Sequence, residues 1–221
     1  MVSILKDKLI DGIEIIPCRI NGPRGIVKSF LILGEERTIL IDTGFSDADS
    51  DVIIDRLEKA GKKHDDLKLC ILTHRHGDHV GGLKKLKRIL KFDLMAHELD
   101  VEGVKKVSGY NPDRALKGGE SLVDCGGINI LHTPGHTPGS ISLYLPKVRT
   151  LIAGDAILSA GEHLVVSPHY LCSDPEQAQQ SVVRLINMNL DIERVLVGHG
   201  DDVYEDGKKN LGRILDGPRL T

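Results

Sequence analysis

Short apolar runs separated by turn residues recur along the whole chain. IEIIPCRI, IVKSFLIL, TILIDTG, LKLCIL, FDLMA, INILHT, SISLYL, TLIAGD and RVLVGHG each have the length and branched content of a β-strand. Between them lie stretches with helical signals. Asp47 or Asp49 is suited to cap a helix running through VIIDRLEKA to a stop at Gly61. A second helix is expected from near Val80 through LKKLKRIL. A third starts in SDPEQAQQSVVRLI, where Ser173 and Glu176 fit a capping box and Asp174 followed by Pro175 fits a cap and first turn. Strands come in runs separated by single helices, which predicts an α+β protein whose sheets are mixed or mostly antiparallel, with helices outside.

No internal repeat or low-complexity stretch divides the chain. Its 221 residues are expected to form one domain, 1–221, in two halves of similar strand content meeting near residues 110–120. Lys+Arg 29 against Asp+Glu 32 leaves a net charge of -3, so no overall field favours nucleic acid or an anionic membrane. The opening segment MVSILKDKLIDG interrupts its apolar patches with charge, and no later stretch reaches the roughly 20 apolar residues of a membrane span. The expectation is a cytoplasmic protein. Cys18, Cys70, Cys125 and Cys172 are dispersed and form no C-x-x-C pair, as reduced thiols would. Cys70 reads as core, and Cys172 lies between residues of chemical interest.

LCILTHRHGDHVGG packs His74, His76, Asp78 and His79 into six positions, directly after a strand and before a helix. Imidazole and carboxylate suit Zn, Fe, Mn or Co, and Gly77 allows a turn that directs alternate side chains inward. Two histidines cannot complete a coordination sphere, so further ligands are required at other strand ends. His136 in LHTPGHTPGS, Asp155 closing TLIAGD and His199 closing VLVGHG meet that requirement, each beside Gly or Pro. Singly, each reads as an ordinary surface or hydrogen-bonded polar residue. Together they point to one metal site.

H-x-H-x-D-H over His74 to His79, followed by TPGHT, AGD and GHG, resembles the metallo-beta-lactamase superfamily across nearly the whole chain. The resemblance implies a four-layered αβ/βα sandwich with a dinuclear site at one sheet edge. His74, His76 and His136 would hold one divalent ion, Asp78, His79 and His199 the other, and Asp155 would bridge them, with zinc the first choice of metal. Asp42 matches the family's buried aspartate that accepts a hydrogen bond from a ligand imidazole, and His132 is a supporting residue. A hydroxide shared by the metals would attack an ester-type bond, in a thioester, lactone, carboxylic ester or phosphoester, with Asp78 orienting it. True beta-lactamases carry other residues at the bridging position. Glyoxalase II enzymes carry a C-terminal helical region, whereas 22 residues follow His199 here.

The alternative implied by the same motif is a mononuclear iron persulfide dioxygenase. A nucleic-acid phosphodiesterase ranks lower, because the lysines at 84 to 88 read as a solvated helix face and aromatics are 3%. The partner is expected to be a small-molecule substrate, with neither membrane nor nucleic acid, and the oligomeric state is open, a homodimer included. His163, His169 and Tyr170 lie in the segment 156–175, which shows no periodicity and is expected to be a substrate-facing loop.

Overall fold

Both faces of most strands are apolar because both faces are covered. A computed structural model describes residues 8–19, 25–161 and 163–216. The first sheet contains β1 (Lys8–Ile10), β2 (Ile13–Arg19), β3 (Ile26–Leu33), β4 (Thr38–Ile41), β5 (Leu67–Ile71), β6 (Asp93–His97) and β7 (Arg114–Leu116), in that spatial order. Its first four strands pair antiparallel, and β4 to β7 run parallel. The second sheet has β8 (Ser121–Leu122), β9 (Ile128–His132), β10 (Ile141–Leu145), β11 (Thr150–Ile152) and β14 (Arg194–Leu196), with β14 parallel to β11. A separate hairpin joins β12 (Ile157–Ala160) to β13 (His163–Val166).

Three apolar layers follow from strand alternation. Ile39 and Ile41 of β4 and Ile141 and Leu143 of β10 point between the sheets, into a core with Phe30, Ile71, Ile130 and Ile152. Leu40, on the other face, packs with Ile53 and Leu57 of α1 (Asp47–Lys59), Val80 of α2 (Gly77–Val80), Leu83 and Leu86 of α3 (Leu83–Ile89) and Val104 of α4 (Val101–Ser108). Tyr144 and Leu151 turn outward to Val182 and Leu185 of α5 (Pro175–Asn187) and Leu211 of α6 (Gly207–Gly212). The result is the αβ/βα sandwich of two mixed sheets. The chain crosses from one sheet to the other between Leu116 and Ser121.

Three local expectations need correction. The segment 156–175 is not a plain loop. Residues 157–160 and 163–166 pair as the β12–β13 hairpin, with Gly161 (φ +66) following β12, and Ile157 and Leu158 are both buried, which removes the alternation that marks a half-exposed strand. The first helix is capped by Ser46 rather than by Asp47 or Asp49. Asp49 instead accepts from Phe45 N at 3.0 Å and Ser46 N at 2.9 Å. The second helix begins earlier than Val80 and is interrupted between α2 and α3 at Gly81 and Gly82, which are glycines because a side chain there would strike the backbone oxygens of Phe45 and Thr43. The short α4 carries no flanking signal that distinguishes it from a surface turn. For the third helix the open choice resolves in favour of Asp174, whose carboxylate accepts from Gln177 N at 2.9 Å, with Pro175 opening the helix.

Cys70 is fully buried in the outer core of the first sheet, as its sequence context suggests. Among the described residues, no helix is long and apolar enough to cross a membrane.

Candidate metal centre

The strand ends that carry polar residues gather at one end of the sandwich. Asp42 follows β4, His74 to His79 follow β5 and open α2, His136 lies between β9 and β10, Asp155 follows β11 and His199 follows β14. Two backbone bonds stitch the sheets together there, Ile141 N to Thr73 O at 2.9 Å and Lys28 N to Gly198 O at 2.9 Å.

The seven expected ligands meet. Three donor groups, His74–His76–His136, His74–His79–Asp155 and Asp78–His79–His199, each have ligand atoms within 4.8 Å of one another. His136 Nε2 lies 2.9 Å from His76 Nδ1 and 3.2 Å from His74 Nε2. Asp155 touches both sides of the cluster, with Oδ1 3.4 Å from His79 Nε2 and Oδ2 3.6 Å from His136 Nε2 and 3.5 Å from His199 Nε2. Asp78 Oδ2 is 3.2 Å from His199 Nε2. Gly198 makes this approach possible, since a Cβ there would sit 2.4 Å from Asp155 Oδ1.

Hydrogen bonds outside the cluster fix which nitrogen faces in. His79 Nδ1 donates to Asp42 Oδ2 at 2.8 Å, and His199 Nδ1 donates to the Ile26 carbonyl at 3.1 Å. Thr73 Oγ1 donates to Asp42 Oδ2 at 2.7 Å, so it accepts from His74 Nδ1 at 3.1 Å. Each of these three imidazoles therefore turns an Nε2 lone pair inward, the arrangement that metal-ligating histidines adopt. His136 Nδ1 meets Ser167 Oγ at 3.1 Å, which leaves its Nε2 as the inward atom.

Asp42 anchors this set from a left-handed backbone conformation, φ +58, and also accepts from Thr73 N at 2.7 Å. Such a conformation is costly for most residues and is tolerated by Asp.

The cluster fits a divalent cation better than any arrangement of protons. Of the four buried side-chain atoms without a hydrogen-bond partner among the described residues, two are His79 Nε2 and Asp155 Oδ1. Three imidazole nitrogens facing one another around His136 cannot all be satisfied by shared protons, and a cation removes the conflict. Burial, opposed by Asp155, drives His136 down to about 4, and it drives His74 well below the ordinary imidazole value. Both imidazoles are then neutral at physiological pH. Burial alone would lower His79 as well, but the flanking Asp155 and Asp42 carboxylates overcome it and raise the value. The same contacts hold Asp155 well below the usual carboxylate range despite its burial.

A family model described as the metallo-beta-lactamase superfamily matches residues 22–199. The chain belongs to that superfamily. Among its relatives, the probable metallo-hydrolase YflN of Bacillus subtilis (strain 168) is 27% identical over 200 residues, covering 73% of this chain and 75% of the relative. A hydroxyacylglutathione hydrolase of Francisella philomiragia is 30% identical over 168 residues, covering 74% of this chain but 59% of the relative's length. The hydroxyacylglutathione hydrolase GloC of Haemophilus influenzae is 28% identical over 182 residues, covering 75% of this chain and 81% of the relative. In fold, a metallo-beta-lactamase from Pontibacter korlensis superposes with a TM-score of 0.80 at 19% identity, covering 96% and 98% of the two chains.

Within this superfamily member, the supporting residues divide in a way the sequence did not reveal. Asp42 bonds a cluster imidazole, His79. His132 contacts no member of the donor cluster. It stacks on His97 at 4.0 Å between ring centroids and meets the Pro138 carbonyl at 2.9 Å, bracing the loop that carries His136. His163, His169 and Tyr170 are exposed and belong to none of the three donor groups, Tyr170 being 84% exposed. Ser167, from the same segment, is the residue that reaches the cluster. It is a serine among several, with no sequence signal to mark it. Cys172 Sγ meets the Ser167 carbonyl at 3.4 Å and so packs behind the site.

Proposed function

We propose that the chain is a metal-dependent hydrolase with a dinuclear site acting on an ester-type bond, with a thioester of the hydroxyacylglutathione kind as the leading substrate class. The observation that carries this reading is Asp155, whose carboxylate touches both histidine groups and keeps one buried oxygen without a hydrogen-bond partner. His74, His76 and His136 would hold one ion, Asp78, His79 and His199 the other, and Asp155 both. Zinc is the leading metal for this set of nitrogen and oxygen donors, with Fe, Mn or Co as substitutes. Relatives named hydroxyacylglutathione hydrolases support the thioester, and 81% of the Haemophilus enzyme's length is covered by this chain.

Bound divalent ions supply Lewis acidity, polarising an acyl oxygen and lowering the pKa of water from 15.7 to about 7. The residues supply the rest. Burial would raise Asp78, but the neighbouring imidazoles of His199 and His79 lower it, so it is an ionised proton acceptor at neutral pH. Asp42, Thr73 and the Ile26 carbonyl hold the imidazoles in one tautomer throughout turnover. No serine or cysteine nucleophile is required.

Protein purified without chelator is expected to carry two divalent ions per chain and to cleave a hydroxyacylglutathione faster than lactone, carboxylic ester or phosphoester probes. Asp155→Ala should lower kcat/KM by on the order of 10³-fold, about 4 kcal/mol, with unchanged circular dichroism. Full activity and unchanged metal content in that variant would refute the reading. One iron per chain with oxygen uptake would replace it by the persulfide dioxygenase.

A further inference from the structure

We propose that Asp100 is the positioning residue for the three-histidine half of the centre, an inference that rests on the metal-binding reading above. Asp100 lies at the start of α4, 0% exposed, yet its carboxylate bonds no amide of that helix. Both oxygens point the other way. Oδ2 accepts from Arg75 N at 3.0 Å and from Thr137 Oγ1 at 2.6 Å, and Oδ1 accepts from Gly139 N at 3.1 Å and from Arg75 Nη1 at 3.2 Å.

Arg75 stands between His74 and His76, and Thr137 follows His136. One carboxylate thus ties down a chain neighbour of each imidazole in the trio. Two glycines are shaped around it. A Cβ on Gly139 would sit 2.6 Å from the Asp100 carboxyl carbon, and one on Gly103 would sit 2.2 Å from Arg75 Cδ, where the arginine stem crosses α4. Neither glycine needs a positive φ. Close approach to this clamp accounts for both.

The clamp sets a spacing that the fold alone does not. The HRH turn belongs to the first sheet and the His136 loop to the second, and charge-assisted hydrogen bonds to a shared acceptor fix their separation.

Titration of the full chain with cobalt(II), followed in the visible ligand-field bands, tests this. The bands are assigned with His136→Ala and His199→Ala. Asp100→Asn should need about 10–100-fold more cobalt to fill the band that His136→Ala removes, while the band that His199→Ala removes fills nearly as in the parent. Thr137→Val, which removes the hydroxyl that bonds Asp100 and Ser140 but leaves the Arg75 and Gly139 bonds to the carboxylate, should move the same band in the same direction by less, and it carries the test if Asp100→Asn does not fold. A general structural defect would weaken both bands equally and overturn the proposal, as would parental binding of both ions in both variants. If the parent chain binds a single ion, the dinuclear reading fails. Weaker binding of that ion in Asp100→Asn would still support the clamp, and unchanged binding would overturn it.

Discussion

His136 and His199 enter the centre from opposite sides and are held by different physics. The His136 loop is tied by a hydroxyl and an amide donor to the carboxylate of Asp100, which also holds Arg75 of the HRH turn. The His199 loop is strapped by an ion pair whose side chains are 1% and 0% exposed, Lys28 Nζ to Asp202 Oδ1 at 2.5 Å. Lys28 also donates to the Gly200 carbonyl at 2.8 Å, and Asp202 accepts from Val197 N at 2.9 Å and Tyr204 OH at 3.1 Å. The first device relies on directional bonds that can be weakened one at a time. The second is close to all-or-none, because removing either ion strands the other in a medium that solvates it poorly. Burial already lowers the Lys28 pKa, with Asp202 opposing that shift.

That contrast predicts its own largest effect. Lys28→Met should cost about 3–5 kcal/mol of stability and lower Tm by on the order of 10 °C, because it leaves Asp202 charged and enclosed. Lys28→Met with Asp202→Leu should recover most of the loss, since an apolar pair carries no stranded charge. Thermal melts of the two variants decide the matter. Equal destabilisation in single and double variants would mean that the strap acts through shape and not charge, and the comparison with the Asp100 clamp would fail.

The next effect separates ligand orientation from stability. Asp42→Asn keeps a residue that accepts the left-handed conformation at φ +58, so the backbone need not change. What is lost is the negative acceptor for His79 Nδ1. Competition against a chelating dye should show metal affinity falling about 10–100-fold, with Tm much less affected than in Lys28→Met. Unchanged affinity would show that hydrogen bonding by a neutral amide suffices to orient His79.

The sequence exposes the residues that face the centre better than those that stand behind it. Six positions holding three histidines and an aspartate are dense enough to be recognised alone, and Asp155 and His199 close apolar strands beside glycines. The two-sheet sandwich comes from the family resemblance, whereas most strands and the external helices are legible in the apolar pattern. Lys28 is invisible for the opposite reason: one lysine in the strand IVKSFLIL reads as pointing to solvent, and its partner lies 174 positions away. Asp100 in HELDVEGVKK reads as an ordinary acidic surface residue. Gly139 reads as one more turn glycine, although its role is close approach. The β12–β13 hairpin hides because consecutive buried residues erase the two-residue period. Long-range pairing leaves no mark on local pattern.

The smallest predicted effect sharpens how far the tie on His136 extends. The α5 start abuts its loop, where a Cβ on Gly135 would sit 2.1 Å from Ala178 N, and Ser173 donates to the His136 carbonyl from both its amide at 3.0 Å and its hydroxyl at 3.1 Å. Asp174 caps the helix from an exposed position without touching the loop through its side chain. Asp174→Ala should therefore cost about 1 kcal/mol and lower Tm by roughly 2–4 °C, while cobalt affinity stays at the parental value. Helix stability and ligand position are then separate properties of this corner. A fall in cobalt affinity comparable to that of Thr137→Val would instead show that α5 itself presses His136 into place, making Asp100 one of two supports for that histidine.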